Sequence, residues 1–109
     1  GCVVTPMWTK VTPSEEPPLY PVNVQRLVRF FEFGLGRPAM PIDVAQAIDS
    51  AVSAEKPPFR VPVGKDANEV IAGRMAAGDE AWIAGLCAKD DNDFADRWLD
   101  MVGVDYYRD

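Results

Sequence analysis

The sequence predicts a mostly helical chain that completes an α/β domain, and three observations carry that expectation. Apolar residues recur at spacings of three and four over long stretches beyond residue 22, the period of helices with one buried face. Residues 59–63 (FRVPV) alternate apolar side chains with Arg60 and Pro62, the period of a short strand. The opening GCVVTPMW runs from small apolar residues into a threonine and a proline, as a buried strand does when it turns into a loop. Two short strands are not a stable sheet. The reading is therefore the C-terminal portion of a larger α/β domain whose sheet lies upstream, and the start on glycine rather than methionine favours it. The alternative is an all-helical domain with a stray extended segment.

Each element follows from local signals. All ten prolines lie at or before Pro62, so turns punctuate the first half and the second half is free to be helical. Residues 13–21 (PSEEPPLYP) read as an irregular loop, because proline removes donors and biases the preceding residue away from helical angles. Val24, Leu27, Val28, Phe31 and Leu35 mark a helix over 24–35, with Asn23 as its cap and Gly34 and Gly36 as its end. A second helix over 44–54 has Pro41 in its first turn and Val44, Ile48 and Val52 on one face. Its small Ala45, Ala47 and Ala51 suit close packing on a sheet. Pro62 cannot donate to a ladder, which places the 59–63 strand at a sheet edge.

Gly64 releases the chain into a third helix, where Asp66 and Glu69 have the spacing of a capping box ahead of Val70, Ile71 and Met75. Two shorter helices are expected on 79–86 (DEAWIAGL) and 92–102 (NDFADRWLDMV). Gly103 stands where a left-handed cap ends the last one.

Composition narrows the function. With 109 residues, 48% hydrophobic and 26% charged, the chain is one domain or part of one. A net charge of -6 without histidine argues against a nucleic-acid partner, whose phosphates call for clustered Lys and Arg. No run is long enough to span a membrane and no signal peptide opens the chain, so the expectation is a soluble, cytoplasmic protein. Cys2 and Cys87 match no metal or redox spacing and read as buried or idle thiols. GLGRPA at 34–39 imitates a dinucleotide fingerprint, but it follows a helix and contains Pro38, so it reads as a helix terminus. DDND at 90–93 lacks the ligand order of a calcium loop and reads as a solvated helix start. No metal site is expected.

Three blocks, in order and at matching spacing, carry a family resemblance. Gly1-Cys2-Val3-Val4-Thr5-Pro6-Met7 resembles the P-G-x-V-x-T-P-M segment after the sixth strand of classical short-chain dehydrogenases/reductases, starting just past the motif's proline. MPIDVAQAI resembles the family's P-E-D-V-A-x-A-I helix, and PPFRVPVGKDA its P-x-R-Y-P-V-G-x-D-A seventh strand and exit. The resemblance implies the C-terminal portion of a Rossmann-like doubly wound parallel sheet domain. Residues 1–8 would be the cofactor loop, 9–40 the substrate lid, 41–64 a helix and the last strand, and 65–109 the C-terminal helices.

It also implies NAD or NADP as cofactor of the complete enzyme, a small-molecule alcohol or carbonyl substrate, no nucleic acid, no membrane, and a homo-oligomer. Gly1, Val3 and Thr5 would then be cofactor-binding. Val3 would offer its backbone to the nicotinamide carboxamide and Thr5 its hydroxyl to the carboxamide or pyrophosphate. A backbone donor and acceptor pair matches a primary amide edge, and threonine adds a donor and acceptors on a short, stiff side chain. Met7, Trp8 and Phe31, with Phe30 and Phe33 beside it, would be the apolar substrate wall. An aromatic cluster on a helix is more often core than pocket. No catalytic residue is assigned: the family's glycine-rich loop, serine and Tyr-x-x-x-Lys pair belong upstream of Gly1, and Tyr20, Tyr106 and Tyr107 have no lysine at that spacing. Two other readings stay open, a small acidic helical interaction module without enzymatic activity and a regulatory relative that keeps the fold and loses the chemistry.

Overall fold

Helix α1 (Pro21–Gly36) begins where the proline-rich run ends, because a proline at the first helical position needs no N–H and already has helical φ. Asn23, expected as the cap, sits inside the first turn, and Tyr20 precedes the helix without a side-chain cap. At the other end the Arg37 N–H closes on the Gly34 carbonyl at 3.1 Å, so GLGRPA is a helix end as its sequence suggests. In α2 (Pro41–Ser53) Pro41 again takes the first turn, and the Asp43 carboxylate accepts from the Met40 N–H at 2.7 Å. The computed structural model describes residues 1–10, 12 and 14–108; Pro13, the expected start of the first loop, lies outside them.

The expected α/β architecture is not what this chain forms. Among the described residues there are four helices, a 3₁₀ turn at Pro6–Lys10 and no sheet, so the Rossmann-like parallel sheet is absent. Residues 59–63 run without a partner strand, and Phe59 is 88% exposed. Five alternating residues specify a pleat but not what pairs with it, and Pro62 removes a donor. The opening segment pairs elsewhere, in one parallel bridge between Val3 and Ala39. Val4 N–H donates to the Ala39 carbonyl at 3.1 Å and Ala39 N–H to the Cys2 carbonyl at 2.9 Å. With no sheet to cover, α2 buries none of its residues.

Helix α3 (Lys65–Leu86) starts at Gly64 and is interrupted at Gly78, whose φ of 76° and ψ of 173° fit glycine and break the helical ladder. The helix expected over 79–86 is the stretch beyond that break. The expected capping box does not form, because Asp66 and Glu69 face distant partners instead. Helix α4 (Asp91–Val102) is capped by Asp90, whose carboxylate accepts from Asn92 and Asp93 N–H at 2.9 and 3.0 Å. Gly103 ends it at φ 78°, in the left-handed conformation its sequence predicts.

The core is aromatic. Phe94, Trp98 and Tyr106 are buried, and Phe30, Phe33, Trp82 and Tyr107 pack around them. Phe33 and Tyr106 have centroids 4.3 Å apart, Phe94 meets Tyr107 edge-on at 4.8 Å, and Trp98 meets Tyr106 edge-on at 5.4 Å. Each such pair adds about 0.5–1.5 kcal/mol beyond the area it buries. Gly73 lets α3 press against the end of α4: a Cβ there would lie 2.5 Å from the Met101 carbonyl oxygen. Arg26 ties α1 to this core, with its guanidinium 4.1 Å from the Phe94 ring centre and its N–H groups on the Ala88 carbonyl at 2.8 Å and Asp91 at 2.6 Å.

Candidate functional site

The first eight residues lie where α1, the link through Ala39 and the start of α3 converge. Cys2 is buried, and its backbone N–H donates to Asp66 Oδ2 at 2.6 Å. This approach depends on missing side chains. A Cβ on Gly34 would lie 2.5 Å from the Cys2 sulphur, and one on Gly1 would clash with Asp66 and the Val63 carbonyl. Asp66 and the bridge to Ala39 thus hold residues 1–4 from two directions. The following 3₁₀ turn folds Trp8 back, so that its N–H donates to the Thr5 carbonyl at 3.3 Å and its indole N–H to the Val3 carbonyl at 2.8 Å.

Trp8 then meets Phe31 edge-on at 5.4 Å, and the two close one side of a cleft of about 340 Å³. Gly1, Cys2, Phe30 and the α3 residues Asp66, Val70 and Ile71 line the rest. Gly1, Trp8 and Phe31, taken from the sequence as site residues, are therefore brought together. Val3 adjoins them through the Trp8 bond, and Thr5 is half-buried with no partner for its hydroxyl among the described residues. Met7 does not join: it is 67% exposed and outside the cleft lining. The phenylalanine group divides, because successive helical positions face different ways. Phe31 faces Trp8, Phe33 faces Tyr106, and Phe30 touches both sides.

Asp66 is the residue that sequence reasoning missed. Its D-x-x-E spacing to Glu69 pointed to a local cap, while its partner is 64 positions away. Burial works against its charge, but the Cys2 N–H, the Cys2 thiol and the Ala67 N–H outweigh it and hold the carboxyl below the usual aspartate range. The same burial, with Asp66 alongside, pushes the Cys2 thiol up to about 11, so it is protonated at neutral pH. Both cysteines are free.

Glu69 was misread in the same way. It receives both Arg37 guanidinium nitrogens at 3.0 and 2.9 Å and the Tyr106 hydroxyl at 2.8 Å. Arg37 holds its carboxyl below the usual glutamate range despite burial. Burial raises the Tyr106 hydroxyl, and Glu69 adds to the rise. This network joins the residue that caps α1 to α3 and to the chain after α4.

The cleft offers the rings of Trp8, Phe30 and Phe31, the aliphatic Val70 and Ile71 and the Asp66 carboxylate, and Thr5 lies outside its lining. Asp66 Oδ2 is taken by the Cys2 N–H, its Oδ1 has no partner among the described residues, and the Cys2 thiol is neutral. Among the described residues no three His, Cys, Asp or Glu side chains group as metal ligands, and no helix is long and apolar enough to cross a membrane. Compared with protein-family models, curated proteins and solved structures, the chain matches none.

Proposed function

We propose that this chain supplies the cofactor-facing loop and the substrate wall of an NAD(P)-dependent oxidoreductase, which passes a hydride between the nicotinamide and an alcohol or ketone carbon. The acid–base groups of that reaction come from outside these residues. One observation carries the reading: residues 1–4 are held from two sides and lead into Trp8, which walls a cleft with Phe31, while the Thr5 hydroxyl between them has no partner among the described residues. A preorganised loop with a free hydroxyl suits a carboxamide, and an apolar wall suits the carbon skeleton of a substrate.

The extent of the surface supports the same reading. A folded monomer of 12.0 kDa exposes about 6,000 Å² on the general scaling, and this chain exposes 8209 Å². Faces of that size suit helices that cover further protein. The all-helical architecture and bare α2 also favour a second reading, an acidic helical interaction module without chemistry.

Thr5→Val separates the two. In the complete enzyme it weakens NAD(P) binding by about 1 kcal/mol, the net value of one neutral hydrogen bond, and leaves the melting temperature nearly unchanged. Valine keeps the shape and removes only the hydroxyl. An unchanged cofactor dissociation constant returns Thr5 to a plain turn residue and favours the interaction module. The 109-residue chain alone is expected to show no turnover, and NAD(P)H absorbance with an alcohol or ketone substrate checks it.

A further inference from the structure

The cleft beside residues 1–8 has a one-sided chemistry. Its walls are the rings of Trp8, Phe30 and Phe31 and the aliphatic Val70 and Ile71; its single charged lining side chain is Asp66, 3% exposed, which the amino group of Gly1 partly offsets. No lysine or arginine lines it. The one indole N–H on its wall is already spent on the Val3 carbonyl. A carboxylate or phosphate entering here gives up its water to mostly apolar walls and meets no cationic side chain. A polyol leaves most of its hydroxyls without partners. A hydrocarbon ring system meets what the walls offer, edge and face contacts with aromatic rings.

Size narrows the class further. A dry apolar cavity of about 150 Å³ accepts one benzene, so a cleft of about 340 Å³ has room for two fused rings. Resting on the oxidoreductase reading, we propose that this cleft selects uncharged, largely hydrocarbon alcohols or ketones of about two fused rings, and rejects acids, phosphates and sugars. Trp8 and Phe31 set that choice by shape, and the apolar walls set it by failing to replace the water around a charge.

The experiment follows the Trp8 indole N–H resonance of the ¹⁵N-labelled 109-residue chain, assigned with Trp8→Phe, during titration with three probes. These are 1-tetralone, the equally large anion 1-naphthoate, and ribose. The expected result is a saturable shift with tetralone, binding at least about tenfold weaker with naphthoate, and none with ribose. Ala67→Phe, which fills the cleft from the α3 side, abolishes the tetralone shift while the resonances of Trp82 and Trp98 stay in place. Equal or tighter binding of naphthoate overturns the proposal, as does a tetralone titration that never saturates or an Ala67→Phe chain that still binds. Failure of the oxidoreductase reading looks different. Tetralone then binds as described, while Thr5→Val leaves NAD(P) affinity unchanged in the complete enzyme.

Discussion

Helix α2 and the aromatic cluster around α4 are both written with apolar residues at helical spacing, yet one is bare and the other is dry. Around α4 the rings of Phe30, Phe33, Phe94, Trp98, Tyr106 and Tyr107 come from three separate parts of the chain and interlock edge to face. On α2, Ile48 is 59% and Val52 81% exposed, and the nearby Phe59 is 88% exposed. Periodicity therefore states that a helix has an apolar face and is silent on what covers it. In this molecule the rings around α4 find partners within the chain, and Ile48 and Val52 of α2 and the ring of Phe59 stay exposed.

The sharpest way to break this contrast is at Trp98. It is 4% exposed and touches rings from α1, α3, α4 and the chain beyond. Trp98→Ala costs about 3–5 kcal/mol, a large share of the roughly 5–15 kcal/mol that small domains possess. Chemical denaturation measures it, and a loss below about 1 kcal/mol would place the core elsewhere.

Glu69→Gln comes next. It keeps the shape and removes the charge that Arg37 and Tyr106 share, costing about 1–2 kcal/mol at neutral pH. The sign with pH follows from the lowered carboxyl. Its contribution is fully present above the ordinary glutamate value of 4.5 and is lost as pH falls through the folded value below it. The wild type therefore loses stability in that acid range, and Glu69→Gln flattens that part of the profile. Parallel pH profiles of the two proteins would show Glu69 to be a spectator.

The smallest effect belongs to α2. Ile48→Asp replaces an exposed side chain and changes stability by no more than about 0.5 kcal/mol in the isolated chain. A melting temperature several degrees lower would mean that Ile48 is covered after all.

The same contrast explains what the sequence made legible. Spacing located α1, α2 and α4, and the Gly103 cap and the Asp90 start followed from residue type. Asp66 and Glu69 fit a local motif on paper, but Cys2 and Arg37 claim them across the chain, and no spacing rule sees such partners. The 59–63 strand failed for a related reason: alternation describes two faces, and a sheet needs a neighbour that Ala39 took from the opening segment. At the candidate site the sequence grouped Gly1 with Val3 and Thr5, and Met7 with Trp8 and Phe31; the fold sets Gly1, Trp8 and Phe31 around one cleft with Met7 outside its lining, and the carboxylate that holds the loop was missed.

Amide hydrogen exchange on the 109-residue chain at low concentration tests the central claim most directly, that one aromatic cluster holds this fold while α2 and residues 59–63 are left uncovered. The account predicts slow exchange in α4 and in the first half of α3, exchange faster by orders of magnitude in α2, and nearly unprotected amides at 59–63. Protection of α2 and residues 59–63 equal to that of α4 would contradict it.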